Sequence, residues 1–152
     1  MMASPLDSLK QVYLAGDSDD PNLNGADIKE ADPDLLQGQK ILLVEDEALV
    51  GMDLQMQLEM AGAETIGPIP SLEEAVSAAT EGMFAAAILD IDLRGKDVFP
   101  AADQLKRRGI PFVFHTGHGR RTELTDDYPS VPVCKKPVNG DKLLRVLAGL
   151  LA

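Results

Sequence analysis

Residues 86–95 read "AAILDIDLRG": Ala86, Ala87, Ile88 and Leu89 lead into Asp90, and a second carboxylate, Asp92, follows after one apolar residue. Charge at the end of an apolar run is costly to bury unless something compensates it. Such a run reads as a β-strand, buried along its length, that carries its acid to the rim of a sheet. The question it raises is what else arrives at that rim.

The same pattern repeats on both sides. "KILLVE" (40–45) is a strand, and Glu47 to about Ala61 predicts a helix with Leu49, Val50, Met52, Asp53, Met56, Leu58 and Met60 at mostly helical spacing, stopped at Gly62. "ETIGPIP" (64–70) is a second strand, and Ser71-Leu72-Glu73-Glu74 spells a capping box for a helix through about Glu81. "AAAILD" (85–90) is the third strand, followed by a helix from about Val98 to Arg108 that Gly109 closes. "IPFVFHT" and "VPVCK" are strands four and five, and Asn139 caps a last helix with Leu143, Leu144, Val146, Leu147, Leu150 and Leu151 inward. Between those strands "GHGRRTELTDDYPS" (117–130) predicts at most a short, frayed helix. Five nearly all-apolar strands alternating with helices imply an α/β fold: a five-stranded parallel sheet, doubly wound, covered on both faces.

The 152 residues suit one domain, with 45% apolar residues, few aromatics and no Trp. A formal charge of −11 argues against duplex DNA and anionic membranes as partners. Cys134 is the lone cysteine, so no intrachain disulfide is possible. With no leader-like or membrane-spanning run in the sequence, a soluble cytoplasmic protein is the expectation. Residues 1–39 hold eight acids against Lys10 and Lys29 and form an acidic N-terminal extension; residues 40–152 form the domain. Within the extension, Ser4-Pro5 opens a short helix with Leu6, Leu9, Val12 and Tyr13 on one face. Asp20-x-Asn22-x-Asn24-Gly25 spells half a calcium loop, but Ala31 stands at the twelfth position and Asp27 at the eighth, so it reads as linker.

At the carboxyl ends of the strands the expected inventory is Glu45-Asp46-Glu47, Asp90, Thr116 and Lys135-Lys136. Two like charges ~4 Å apart cost about 4 kcal/mol at an effective dielectric of ~20, so a cation must sit among them. Hard carboxylate oxygens in a hydrated cluster suit Mg²⁺. A carboxylate beside such an ion can attack phosphorus, with Lys136 offsetting the charge on the transferring group.

These residues resemble the receiver domains of bacterial two-component response regulators over 40–152, a flavodoxin-like fold. "ILLVEDE" resembles the family's first-strand acid cluster, with Glu45 and Asp46 in the metal-site positions. "ILDIDLRG" is similar to the phosphoacceptor strand, with Asp90 as acceptor and Asp92 where a backbone carbonyl meets Mg²⁺. Thr116 matches the hydroxyl residue ending strand four, and Lys136-Pro137 the family's lysine and its following, typically cis, proline. "PFVFHTGHG" is similar to the motif of a stand-alone alphaproteobacterial subgroup named for Phe-Ala-Thr-Gly. The resemblance implies a single-domain response regulator that takes a phosphoryl group from a sensor histidine kinase or histidine phosphotransferase. It would signal through protein contacts or drain phosphate from a relay, without being a turnover enzyme.

Three positions depart from the pattern. Val133 stands where an aromatic switch residue is usual, Gly117 where Ala is common, and Arg94 where Pro often occurs. Without the aromatic, Thr116 is expected to act directly on the 117–130 segment. Two rival readings follow: an adaptor insensitive to phosphorylation, and a haloacid-dehalogenase-type phosphatase, whose acid pair after the Lys is missing because only Asp141 follows Lys136. His115 and His118 read as structural or solvated, Cys134 as a small buried hydrophobe, and the six methionines as core filler.

Overall fold

A computed structural model describes residues 32–117, 126–136 and 140–152. The expected N-terminal helix, the half calcium loop, His118, most of the 117–130 stretch, Pro137 and Asn139 lie outside the described residues. Five parallel strands, β1 (Lys40–Val44), β2 (Glu64–Ile69), β3 (Ala86–Asp90), β6 (Phe112–Thr116) and β7 (Val133–Lys135), form one sheet in the order β2-β1-β3-β6-β7. Among the described residues four helices accompany them: α1 (Ala48–Met60), α2 (Leu72–Glu81), α3 (Phe99–Arg108) and α4 (Gly140–Leu151). The expected doubly wound sheet is thus observed.

Alternate residues of a strand face opposite sides. On one side Leu42, Val44, Ala87, Leu89 and Phe114 pack with Ala75 and Ala79 of α2 and Ala101, Ala102 and Leu105 of α3. On the other, Ile41, Leu43, Ile88 and Val113 pack with Leu54 and Leu58 of α1 and with Leu143, Val146 and Leu147 of α4. Burial of each of the larger side chains contributes roughly 1.5–3 kcal/mol. Ser71 accepts the Glu74 N–H, as the capping-box reading expects, and α3 closes at Gly109. Leu36, ahead of the expected domain start at residue 40, is buried in this second cluster, and its N–H donates to the Ala61 carbonyl at 2.8 Å.

The methionines are a correction. Leu49 is 82% exposed and Met52 62%, and Met56, Met60 and Met83 are exposed as well. At 100° per residue, 49, 52, 56 and 60 share one face of α1 while Gly51, Leu54 and Leu58 share the other. The helix is apolar on both faces, so hydrophobicity cannot say which one turns inward. Gly51 decides it, because a Cβ there would lie 2.9 Å from the Pro68 ring, an approach only glycine permits.

A hairpin that the strand and helix pattern of the sequence does not reveal follows β3, formed by β4 (Asp92–Leu93) and β5 (Lys96–Asp97). Its two central residues, Arg94 (φ 54°) and Gly95 (φ 83°), both have positive φ, as a type I′ turn requires. The Asp92 carboxylate accepts the Gly95 N–H at 2.9 Å.

Candidate functional site

Chain order reverses between β1 and β3, so a crevice opens at the carboxyl ends of these strands. Glu45 and Asp46 follow β1, Asp90 is the last residue of β3, Thr116 the last of β6, and Lys136 follows β7. Glu45 is 2% exposed and Asp90 4%. Lys136 Nζ donates to Glu45 Oε1 at 2.9 Å and to Asp90 Oδ2 at 3.1 Å, with Glu47 Oε1 at 3.6 Å. The Lys136 N–H donates to the Thr116 carbonyl at 2.6 Å, which ties the lysine to the end of β6.

Backbone donors orient the acids. Glu45 Oε1 accepts the Glu47 N–H at 3.1 Å, and Asp90 Oδ1 the Asp92 N–H at 3.3 Å. Asp46 Oδ2 accepts the Arg94 N–H at 3.0 Å. Burial, then the Glu45 charge, push the Asp90 carboxyl up to about 8, against the pull of Lys136. Burial would raise Glu45 too, but His115 and Lys136 outweigh it and hold that group below the usual carboxylate range. Burial alone would lower Lys136, yet the two carboxylates hold it above its ordinary value.

One oxygen each from Glu45, Asp46 and Asp90 lie within 4.8 Å of one another, and Glu45 Oε2 is buried without a hydrogen-bond partner. Three carboxylates facing one ammonium, all hard oxygen donors, fit a divalent cation. Asp141, the acid that the phosphatase reading would recruit, instead lies in the first turn of α4 and pairs with Arg145 at 2.8 Å. His115, read as structural or solvated, is 2% exposed, with Nδ1 3.8 Å from Glu45 Oε2. Its pairing with Asp90 across β3 and β6 was the available signal, since both end their strands. Cys134 is buried, which pushes its thiol up to about 12.

No family model matches the chain. The solution structure of SdrG from Sphingomonas melonis superposes with a TM-score of 0.66 at 37% identity, covering 78% of this chain and 98% of SdrG. Solved response regulator receiver domains of lower identity share the fold. The chain belongs to the response regulator receiver family. This receiver is 32% identical over 116 residues to the transcriptional regulatory protein PdtaR of Mycobacterium tuberculosis, and 38% identical over 93 residues to the phyllosphere-induced regulator PhyR of Methylorubrum extorquens. The matches cover 74% and 59% of this chain, but only 57% of PdtaR and 34% of PhyR.

Where receivers usually place an aromatic, this one buries Val133 against Phe114. Tyr128 packs in the same cluster, stacked on Phe99 at 5.5 Å and edge-on to Phe114 at 5.4 Å. Its hydroxyl donates to the Asp103 carboxylate, and burial together with Asp103 raises its ionisation above the ordinary tyrosine value.

Proposed function

We propose that this receiver accepts a phosphoryl group on Asp90 from a phosphohistidine of a sensor histidine kinase or histidine phosphotransferase, with Mg²⁺ held by Glu45, Asp46, Asp90 and the Asp92 carbonyl. The supporting observation is the convergence of Glu45, Asp90 and Lys136 from three strand ends within hydrogen-bonding distance. A carboxylate oxygen of Asp90 attacks phosphorus, and the P–N bond pair stays on the ring nitrogen. The imidazole departs neutral because its other nitrogen carries the proton. Lys136 offsets charge on the phosphoryl oxygens, and Thr116 at the neighbouring rim supplies a hydroxyl for them. Bound Mg²⁺ would supply charge neutralisation and keep Asp90 ionised despite its burial.

The phosphorylated chain signals through protein contacts or drains phosphate from the relay. Incubation with acetyl phosphate and Mg²⁺ should add one phosphoryl mass, lost with Asp90→Asn or a chelator. An unmodified native chain under those conditions rejects this reading. Val133 in place of the usual aromatic favours one alternative, an adaptor insensitive to phosphorylation. Partner affinity unchanged by phosphorylation would select it.

A further inference from the structure

We propose that His115 is a positioning residue for Glu45, holding the second carboxylate oxygen of that acid so that it presents the other to Lys136 and the metal; the metal part of this inference rests on the function proposed above. The residue occupies the slot that the subgroup motif fills with alanine, in Phe114-His115-Thr116-Gly117. Alanine there would leave space beneath the acids, whereas this chain places an imidazole in it.

Three observations converge. His115 is among the described residues whose buried polar atoms have no hydrogen-bond partner, at both ring nitrogens, and Glu45 Oε2 is another. Buried polar atoms left unpaired each cost about 1–3 kcal/mol, so two of them facing each other across 3.8 Å are complementary rather than coincidental. Nδ1 is the ring nitrogen on the side of Oε2, and in the tautomer that protonates it this nitrogen is a donor for that oxygen. The backbone around the imidazole is also pinned: His115 lies in register between Asp90 on β3 and Cys134 on β7, and its carbonyl accepts the Ile91 N–H at 3.3 Å. The ring therefore has little freedom to leave, and on alternating faces it shares the side of Val113, packed toward α1 and α4.

The consequence is a division of labour on one carboxylate. Glu45 Oε1 is engaged by Lys136 and by the Glu47 N–H, which leaves Oε2 to the imidazole 3.8 Å away. Partners behind a metal-binding carboxylate fix its orientation, and their loss typically weakens metal binding 10–100-fold.

Mg²⁺ alone, titrated against the full chain and followed by amide NMR shifts, reads the effect without any phosphodonor. His115→Leu should weaken Mg²⁺ binding about tenfold or more, and His115→Gln, which keeps an N–H donor, should recover most of the loss. A folded His115→Leu chain with native affinity, or a glutamine variant as weak as the leucine one, overturns the proposal. A metal-free cycle is read alongside: the Tm change caused by His115→Leu should largely vanish in a Glu45→Met background, and an equal change in both backgrounds overturns it as well. A native chain that binds no Mg²⁺ rejects the proposed metal-assisted function, while the cycle still decides whether His115 holds Glu45.

Discussion

The carboxylate of Asp46 accepts the backbone N–H of Arg94 at 3.0 Å, so an acid of the candidate metal cluster also holds the turn that follows the β3 strand. Arg94 carries φ 54°, a left-handed conformation that proline cannot adopt. Restoring the proline common in the family is therefore expected to damage this chain. Arg94→Pro removes the N–H held by Asp46 and forces the wrong φ, at about 2–3 kcal/mol. Arg94→Gly keeps the bond and relieves the left-handed strain, for a gain of up to about 1 kcal/mol. Urea unfolding of the two variants checks the opposite signs.

Lys136 is the cation that reconciles Glu45 with Asp90. Lys136→Ala leaves two buried acids facing each other, and breaking such a pair costs about 3 kcal/mol. A divalent ion can substitute for the lost charge. Saturating Mg²⁺ should therefore raise Tm more in Lys136→Ala than in the native chain; equal increments would place the ion away from this cluster.

The elevated Asp90 carboxyl carries a pH dependence with a defined sign. Its ordinary value is 3.8 and its folded value about 8, so between these the folded chain binds more protons than the unfolded one. Stability contributed by this group is then full below about pH 4 and falls as pH rises toward 8. Glu45, held low, acts in the opposite sense at more acidic pH, losing its contribution as pH falls. In metal-free buffer, Asp90→Asn should flatten the decline from pH 5 to 8. A native chain whose stability rises across that window would show that Asp90 is already ionised.

Much of this could be read from the chain because strand ends are written twice, once as an apolar run and once as the polar residue that stops it. Asp90, Glu45, Thr116 and Lys136 all stand at such stops, and the parallel topology brings them to one edge. What escaped has a different origin. The Arg94-Gly95 turn depends on a bond from Asp46, 48 residues away, which local spelling cannot show. The role of His115 depends on which face of β6 it takes and on an orphaned oxygen across the sheet. The methionine face of α1 was misassigned because both faces of that helix are apolar and only the depth of packing tells them apart.

That depth is set by Gly51, which makes its replacement a sensitive test of how α1 sits. Alanine is the better helix former by about 1 kcal/mol, so propensity alone favours Gly51→Ala. The added Cβ, however, would lie 2.9 Å from both Cβ and Cγ of Pro68, atoms of a ring that cannot swing aside. Overpacking of this kind costs about 1–3 kcal/mol, so the net effect should be a loss of order 1 kcal/mol and a Tm lower by a few degrees. Relief would require α1 to withdraw from β2, carrying along the Glu45 backbone, whose N–H donates to Ile69 at 2.9 Å. Mg²⁺ affinity should therefore fall with Tm. Met52→Lys, on the exposed face of the same helix, should change stability by no more than about 0.5 kcal/mol. A stabilised Gly51→Ala chain, or a strongly destabilised Met52→Lys one, would mean that α1 turns its other face to the sheet.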